Sequence, residues 1–143
     1  MLSSYGIDDI DRQILSCLIA DASQSHKSIG EHVHMTGQAV GARVRKLQDL
    51  GIIEGTTVNW NPEKIGLTVH AFVTVFLSSN TAHQTFQQFA GSSGQVVEIH
   101  RVSGEGCYWM RVRVGSQPEL TGFLDELLAY GNYKVSLSIG QMK

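Results

Sequence analysis

Apolar residues recur through the first fifty positions at the helical interval of three and four. Ile10, Ile14, Leu15, Leu18 and Ile19 make one face of a helix that Asp8 or Asp9 can cap and that ends near Ala20. Ser28 is placed to cap a second, two-turn helix, in which Ile29 and Val33 stand four apart. The chain then turns through His34 and Met35, and Thr36 offers the next N-cap. Val40, Val44 and Leu47 repeat at i, i+4 and i+7 until Gly51 supplies a left-handed stop. The following stretch, 52–60, is rich in β-branched residues and bends at Gly55, which predicts a two-stranded wing.

The period changes in the second half. Pro62 opens a short connection over 62–67, so the pattern predicts a first domain over 1–61 and a second over 68–143. In 68–77, Val69, Ala71, Val73, Val75 and Leu77 alternate with His70, Phe72, Thr74 and Phe76. Both faces of this strand are largely apolar, so both are expected to be covered. A helix over 82–90 buries Phe86, Phe89 and Ala90. A hairpin follows over 96–102 and 107–114. If its four loop residues leave Val102 opposite Cys107, then Ile99 faces Met110, Glu98 faces Arg111 and Val97 faces Val112. That register leaves Glu98, His100, Trp109, Arg111 and Arg113 on one mixed face, available to another subunit. Ser116 caps a helix with Pro118 in its first turn and Leu120, Phe123, Leu124, Leu127 and Leu128 as its buried stripe. Gly131 and Asn132 stop it, and a last strand runs over 133–139. The expected architecture is α+β: a winged helix-turn-helix, then a βαββαβ ferredoxin-like domain.

Three helices and a wing point to double-stranded DNA. Off the buried stripe of the third helix lie Gly37, Gln38, Gly41, Arg43, Arg45 and Lys46, with Ser28 and Thr36 at the helix starts. Small residues let a helix backbone sink into the major groove. Gln38 and Arg45 are the candidates for base edges, and Arg43 and Lys46 for phosphate. Charge restrains this reading. The chain carries 11 Lys and Arg against 13 Asp and Glu, a net charge of -2 at pH 7. Residues 1–61 hold five basic side chains (Arg12, Lys27, Arg43, Arg45, Lys46) against seven acids, which cluster in the first helix. One copy is therefore expected to bind DNA weakly, and an oligomer to be needed.

The chain resembles the leucine-responsive/asparagine-operon regulator (Lrp/AsnC) family over nearly its whole length. The matching residues are Ile7-Asp8 with Asp11 and Ile14-Leu15, and the run Thr36, Val40, Arg43-Val44, Leu47 and Gly51-Ile52-Ile53. Ile65-Gly66 and the turn Val102-Ser103-Gly104 with Tyr108 also fit. The resemblance implies a DNA-binding domain joined to a regulatory domain that senses small molecules, usually amino acids. It implies homodimers formed through the regulatory sheets and assembled further, with an octamer the expected size. The effector would sit between subunits against Ser103, Gly104, Glu105, Gly106 and Cys107, with Ser136 and Ser138 as further candidates. Two positions depart from the family pattern: Ser23 stands where an arginine is frequent, and Cys107 stands where an aspartate is common. A thiol holds an ammonium group less well than a carboxylate does. An effector-independent architectural protein is thus one alternative. A second is a tetrapyrrole decarboxylase, since relatives of the family modify haem precursors; His100, Arg101 and Arg111 would then hold the substrate.

Other chemistry finds little support in the residues. Cys17 and Cys107 have no CxxC spacing, so neither a disulfide framework nor a zinc ribbon is expected. The six histidines include the pairs His32/His34 and His70/His100 but lack a clustered third ligand, so no metal site is expected; they can make assembly sensitive to pH. Gly104-Glu105-Gly106 is a hairpin turn, not a dinucleotide loop, and no nucleophile-base arrangement appears, so neither a cofactor nor catalysis is expected. With no signal peptide and no apolar run of about 18 residues, a soluble cytoplasmic protein without a membrane partner is expected.

Overall fold

The computed structural model describes residues 6–143 and divides the chain into two compact units, one ending at Asn59 and the next beginning at Trp60. In the first unit α1 spans Asp9–Ala20, α2 spans His26–Val33 and α3 spans Gly37–Asp49. A reciprocal capping box starts α1: the Asp11 N–H donates to Asp8 Oδ1 (2.8 Å) and the Asp8 N–H to Asp11 Oδ2 (3.0 Å). The cap of α2 is Ser25, whose Oγ accepts the Ser28 N–H at 3.0 Å, and not Ser28. The first turn, His26-Lys27-Ser28, is exposed, so hydrophobic periodicity carries no trace of it. Thr36 caps α3 as expected, accepting the Ala39 N–H at 3.1 Å.

The turn between α2 and α3 is tight. His34 takes the left-handed conformation (φ 59°), and a Cβ on Gly30 would lie 2.3 Å from the Met35 carbonyl oxygen. Ile14, Ile29, Val33, Val40 and Val44 close the core of this unit, with Ile10, Cys17, Leu18, Met35 and Ile53 around them. Ile19 is 77% exposed and stands outside that face, a turn beyond the last buried position of α1. The predicted wing is corrected: residues 52–60 form no paired strand. The N–H groups of Ile52 and Ile53 both close on the Leu47 carbonyl at the end of α3, which takes two residues from any hairpin.

In the second unit the expected connection begins as a short 3-10 helix, Pro62–Ile65, capped by Asn61. Strands β1 (Val69–Leu77), β2 (Val96–Arg101), β3 (Tyr108–Val114) and β4 (Gly131–Leu137) form an antiparallel sheet in the order β2-β3-β1-β4, the ferredoxin-like order. Helices α4 (His83–Ser92) and α5 (Gln117–Leu127) bury one face of it. Ala71, Val73, Val75, Tyr108, Met110, Val112 and Val114 point from the strands into Phe86, Ala90, Leu120, Phe123, Leu124 and Leu127. The other face of β1 is only half-buried, so within one chain the helices cover one side, not two. Leu128 caps α5 and is exposed, one residue past the buried stripe.

The hairpin keeps the proposed register for Glu98↔Arg111 and Ile99↔Met110, and the Val102 N–H meets the Cys107 carbonyl at 3.1 Å. It fails at Val97: a bulge puts Val96 opposite Val112 and leaves Val97 exposed. Gly131 belongs to β4 and does not merely end α5. A Cβ there would lie 2.1 Å from the Phe76 carbonyl oxygen, so only glycine lets β4 approach β1 at this point.

Candidate nucleic-acid interface and regulatory face

The side of α3 that turns away from its core presents Gln38, Ala42 and Arg45, spaced four and three apart and exposed. Gly37 and Gly41 are small for a reason inside the domain. A Cβ on Gly37 would lie 3.1 Å from the Lys27 backbone nitrogen, and one on Gly41 would lie 2.9 Å from His26 Nδ1. Their size brings the start of α2 against α3. His26, Gly41, Ala42, Arg45, Lys46, Asp49 and Leu50 then line a shallow groove beside the exposed row. Reading the chain for motifs missed His26; the signal available was a glycine in mid-helix, which asks for a bulky neighbour. Thr36 spends its hydroxyl on the cap, and Ser28 stands exposed in the first turn of α2.

Arg43 and Lys46 are not unpaired as expected for phosphate contacts, although both keep some access to solvent. Arg43 Nη1 lies 2.7 Å from both carboxylate oxygens of Asp8 and 3.0 Å from Asp11 Oδ1, while Lys46 Nζ donates to Asp11 Oδ2 at 2.5 Å. Both bases are folded back on the α1 cap, which periodicity cannot reveal because the partners lie more than thirty residues away. Arg43, followed by the Asp11 N–H, holds the Asp8 carboxyl down at about 2. Burial works against charge on Asp11, which is fully enclosed. Even so, Lys46, the Asp8 backbone N–H and Arg43 keep its carboxyl below the ordinary value.

On the uncovered face of the sheet, Arg111 Nε donates to Glu98 Oε2 (2.6 Å), and Glu98 Oε1 meets His100 Nε2 (2.6 Å). His70 sits between two guanidinium groups, 3.1 Å from Arg111 Nη1 and 3.3 Å from Arg113 Nη2. Burial, then Arg113 and Arg111, push its imidazole below the usual histidine range. A neutral ring has one lone pair, so it accepts from only one of them. Phe72 stacks on Trp109 alongside, with ring centroids 5.8 Å apart.

The loop 103–107 turns through two left-handed glycines, Gly104 (φ 95°) and Gly106 (φ 75°). A Cβ on Gly106 would strike Thr74 Cγ2 at 2.6 Å, and the Cys107 N–H donates to the Val75 carbonyl at 2.7 Å, so the loop is pressed onto the end of β1. Glu105 pairs with Lys134 of β4. Ser103 is exposed in the same loop. The other serines do not gather there. Ser136 pairs opposite Phe72, and the Ser138 N–H meets the His70 carbonyl. At about 3.4 Å per residue along β1, Ser138 is roughly 17 Å from the Val75 end.

A helix-turn-helix unit followed by a four-stranded α+β sheet unit defines a two-part DNA-binding regulator. A model of the AsnC-type helix-turn-helix domain matches residues 7–48, and one of the Lrp/AsnC ligand binding domain matches residues 70–143. The chain belongs to the Lrp/AsnC family. It is 43% identical to the HTH-type transcriptional regulator LrpB of Bacillus subtilis strain 168, over 96% of this chain and 91% of that protein. Identity to LrpA of the same organism is 38%, over 94% and 99%. The solved structure of B. subtilis LrpC superposes with a TM-score of 0.90 at 23% identity, covering 96% of this chain and 97% of that one. A Neisseria meningitidis regulator in complex with L-Met does so with a TM-score of 0.90 at 22%, covering 96% and 92%. The protein is a transcription regulator and not an enzyme, which removes the tetrapyrrole reading. Among the described residues, no helix is long and apolar enough to cross a membrane.

Proposed function

We propose that this regulator reads DNA through the exposed row of α3, as a homodimer that assembles further in the cytoplasm, and that a small amino acid gates it. The observation that carries the reading is the division of labour on α3. Gln38 and Arg45 are free to reach base edges, while Arg43 and Lys46 are already engaged within the domain. With so few free cations, two helices held about one DNA turn apart supply the affinity that one lacks. The uncovered sheet face, with Phe72 stacked on Trp109 and its polar groups paired among themselves, is suited to meet its copy.

For the effector, Glu105 and Lys134 set opposite charges side by side at the loop 103–107, the complement of an amino acid's ammonium and carboxylate. A fold neighbour with L-Met bound supports an amino acid over other small molecules. Ligand can shift assembly only through unequal affinity for the assembled forms. Because Glu105 and Lys134 already satisfy each other, an effector-independent architectural role is the second reading.

Sedimentation velocity with each amino acid, run beside a DNA mobility shift at two salt concentrations, tests this. A ligand that changes both assembly and shift is the expected result, and Glu105→Gln should abolish its effect. DNA binding that no amino acid alters would leave the architectural role in its place. Absence of DNA binding at low salt would overturn the reading outright.

A further inference from the structure

The α1 cap does more than start a helix. Asp8 and Asp11 close their capping box through backbone N–H groups and, with the same carboxylates, hold Arg43 and Lys46 of α3. Of the five basic residues of the first unit, two are thereby taken out of play. Arg43 has its Nη1 on three carboxylate oxygens, and its side chain is only 25% exposed. Lys46 lies on the one fully buried carboxylate of the described residues. Arg45, between them in sequence, is exposed and has no such partner among the described residues, although it lines the same groove as Lys46. Phosphate binding without regard to sequence rises with the number of free cations, whereas base-edge contacts discriminate.

We infer that Asp8 and Asp11 are specificity-determining positioning residues: they withhold Arg43 and Lys46 from the DNA backbone, so that Gln38 and Arg45 dominate recognition. This rests on the DNA-reading assignment of α3 proposed above. The acids touch no DNA themselves; they act through the two bases. Holding α3 against α1 also sets the angle at which the exposed row is offered.

Asp8→Asn is the informative variant, because asparagine caps a helix as well as aspartate and so retains α1 while losing the charge behind the two shorter of the three contacts that hold Arg43, leaving the one to Asp11. Binding of the full chain to operator-like and random duplexes is titrated across salt. Asp8→Asn is expected to steepen log K against log salt by about 0.9 per protomer and to raise random-sequence affinity roughly tenfold at low salt. The ratio of specific to random binding should fall. In the otherwise unaltered protein, Arg43→Gln is expected to leave the slope unchanged, while Arg45→Gln lowers the ratio of specific to random binding. Adding Arg43→Gln to Asp8→Asn should cancel the gain. A merely structural role would lower thermal stability and leave the slope alone. The inference is overturned if Asp8→Asn leaves the slope unchanged, or if Arg43→Gln alone lowers it. Loss of all DNA binding by the unaltered protein would instead remove the assignment of α3 on which it rests.

Discussion

The two units use charge in opposite ways. In the helical unit, Asp8, Arg43 and Lys46 gather at the edge of the core around Asp11, which is fully buried where α1 meets α3. In the sheet unit one face is apolar but for the Tyr108 hydroxyl, which meets His83 and Gln87 of α4, and Glu98, Arg111, His70 and Arg113 link one strand to the next on the other. The difference follows from the elements. A helix offers a third side between its buried stripe and its exposed face, and that side meets a neighbouring helix. A strand has only two faces, so a charge that leaves the core is at once on the opposite surface. The helical unit therefore spends charge on orientation and keeps its reading surface sparse. The sheet unit presents charge to whatever covers it.

Asp11→Ala should break this contrast most severely. It leaves Lys46 unpaired and Arg43 with Asp8 alone, and because both bases keep access to water it should cost the first unit about 2–3 kcal/mol. Both tryptophans, Trp60 and Trp109, stand in the second unit, so their fluorescence follows that unit, while helical circular dichroism weights the first. The variant should shift the dichroism transition and leave the fluorescence transition in place; a joint shift would show that the clamp is not local. Gly131→Ala is the counterpart. Its Cβ meets the Phe76 carbonyl, β1 and β4 must part, and the fluorescence transition should lose about 2 kcal/mol.

Smaller effects sharpen the comparison. Glu98→Gln removes the acid that joins Arg111 to His100 on a face open to solvent. It should lower the fluorescence transition only slightly, far less than Asp11→Ala lowers the dichroism transition, although the distances in the two pairs are alike. The pH responses should separate as well. Asp8 titrates near 3.8 when unfolded and about 2 when folded, so its contribution is complete above pH 3.8 and is lost as pH falls toward 2. His70, whose imidazole is pushed below 6.5 by burial and the two arginines, should weaken the second unit as pH falls from 6.5 through its lowered value. His70→Gln should flatten that part of the fluorescence-monitored profile, and an unchanged slope would show that another group titrates there.

Legibility in the chain followed the same division. The Glu98–Arg111 pair is legible from the order of residues, because a four-residue loop sets the register and partners lie across a known pleat. The Val97 slip is not, since a bulge adds one residue without any change of period. Nor are the Arg43 partners: they come from an element thirty-five residues upstream, and only the crossing of α1 and α3 brings them together. The wing failed for a related reason. β-branched residues favour extended backbone, but a strand also needs a mate, and among the described residues 52–60 has none.

What the order of residues determined by itself is the set of elements, the buried stripes, most of the hairpin register and the family. All of these rest on local periodicity and short-range turn chemistry. What the tertiary structure alone decided is which polar groups remain free. It turned two of the bases on α3 into internal ties and reserved Gly37 and Gly41 for helix packing. It also set Glu105 beside Lys134 while leaving Ser138 at the far end of β1. A charge announces its presence in sequence, but its partner is chosen by packing, because ion pairs form between groups that the fold, not the chain, makes neighbours.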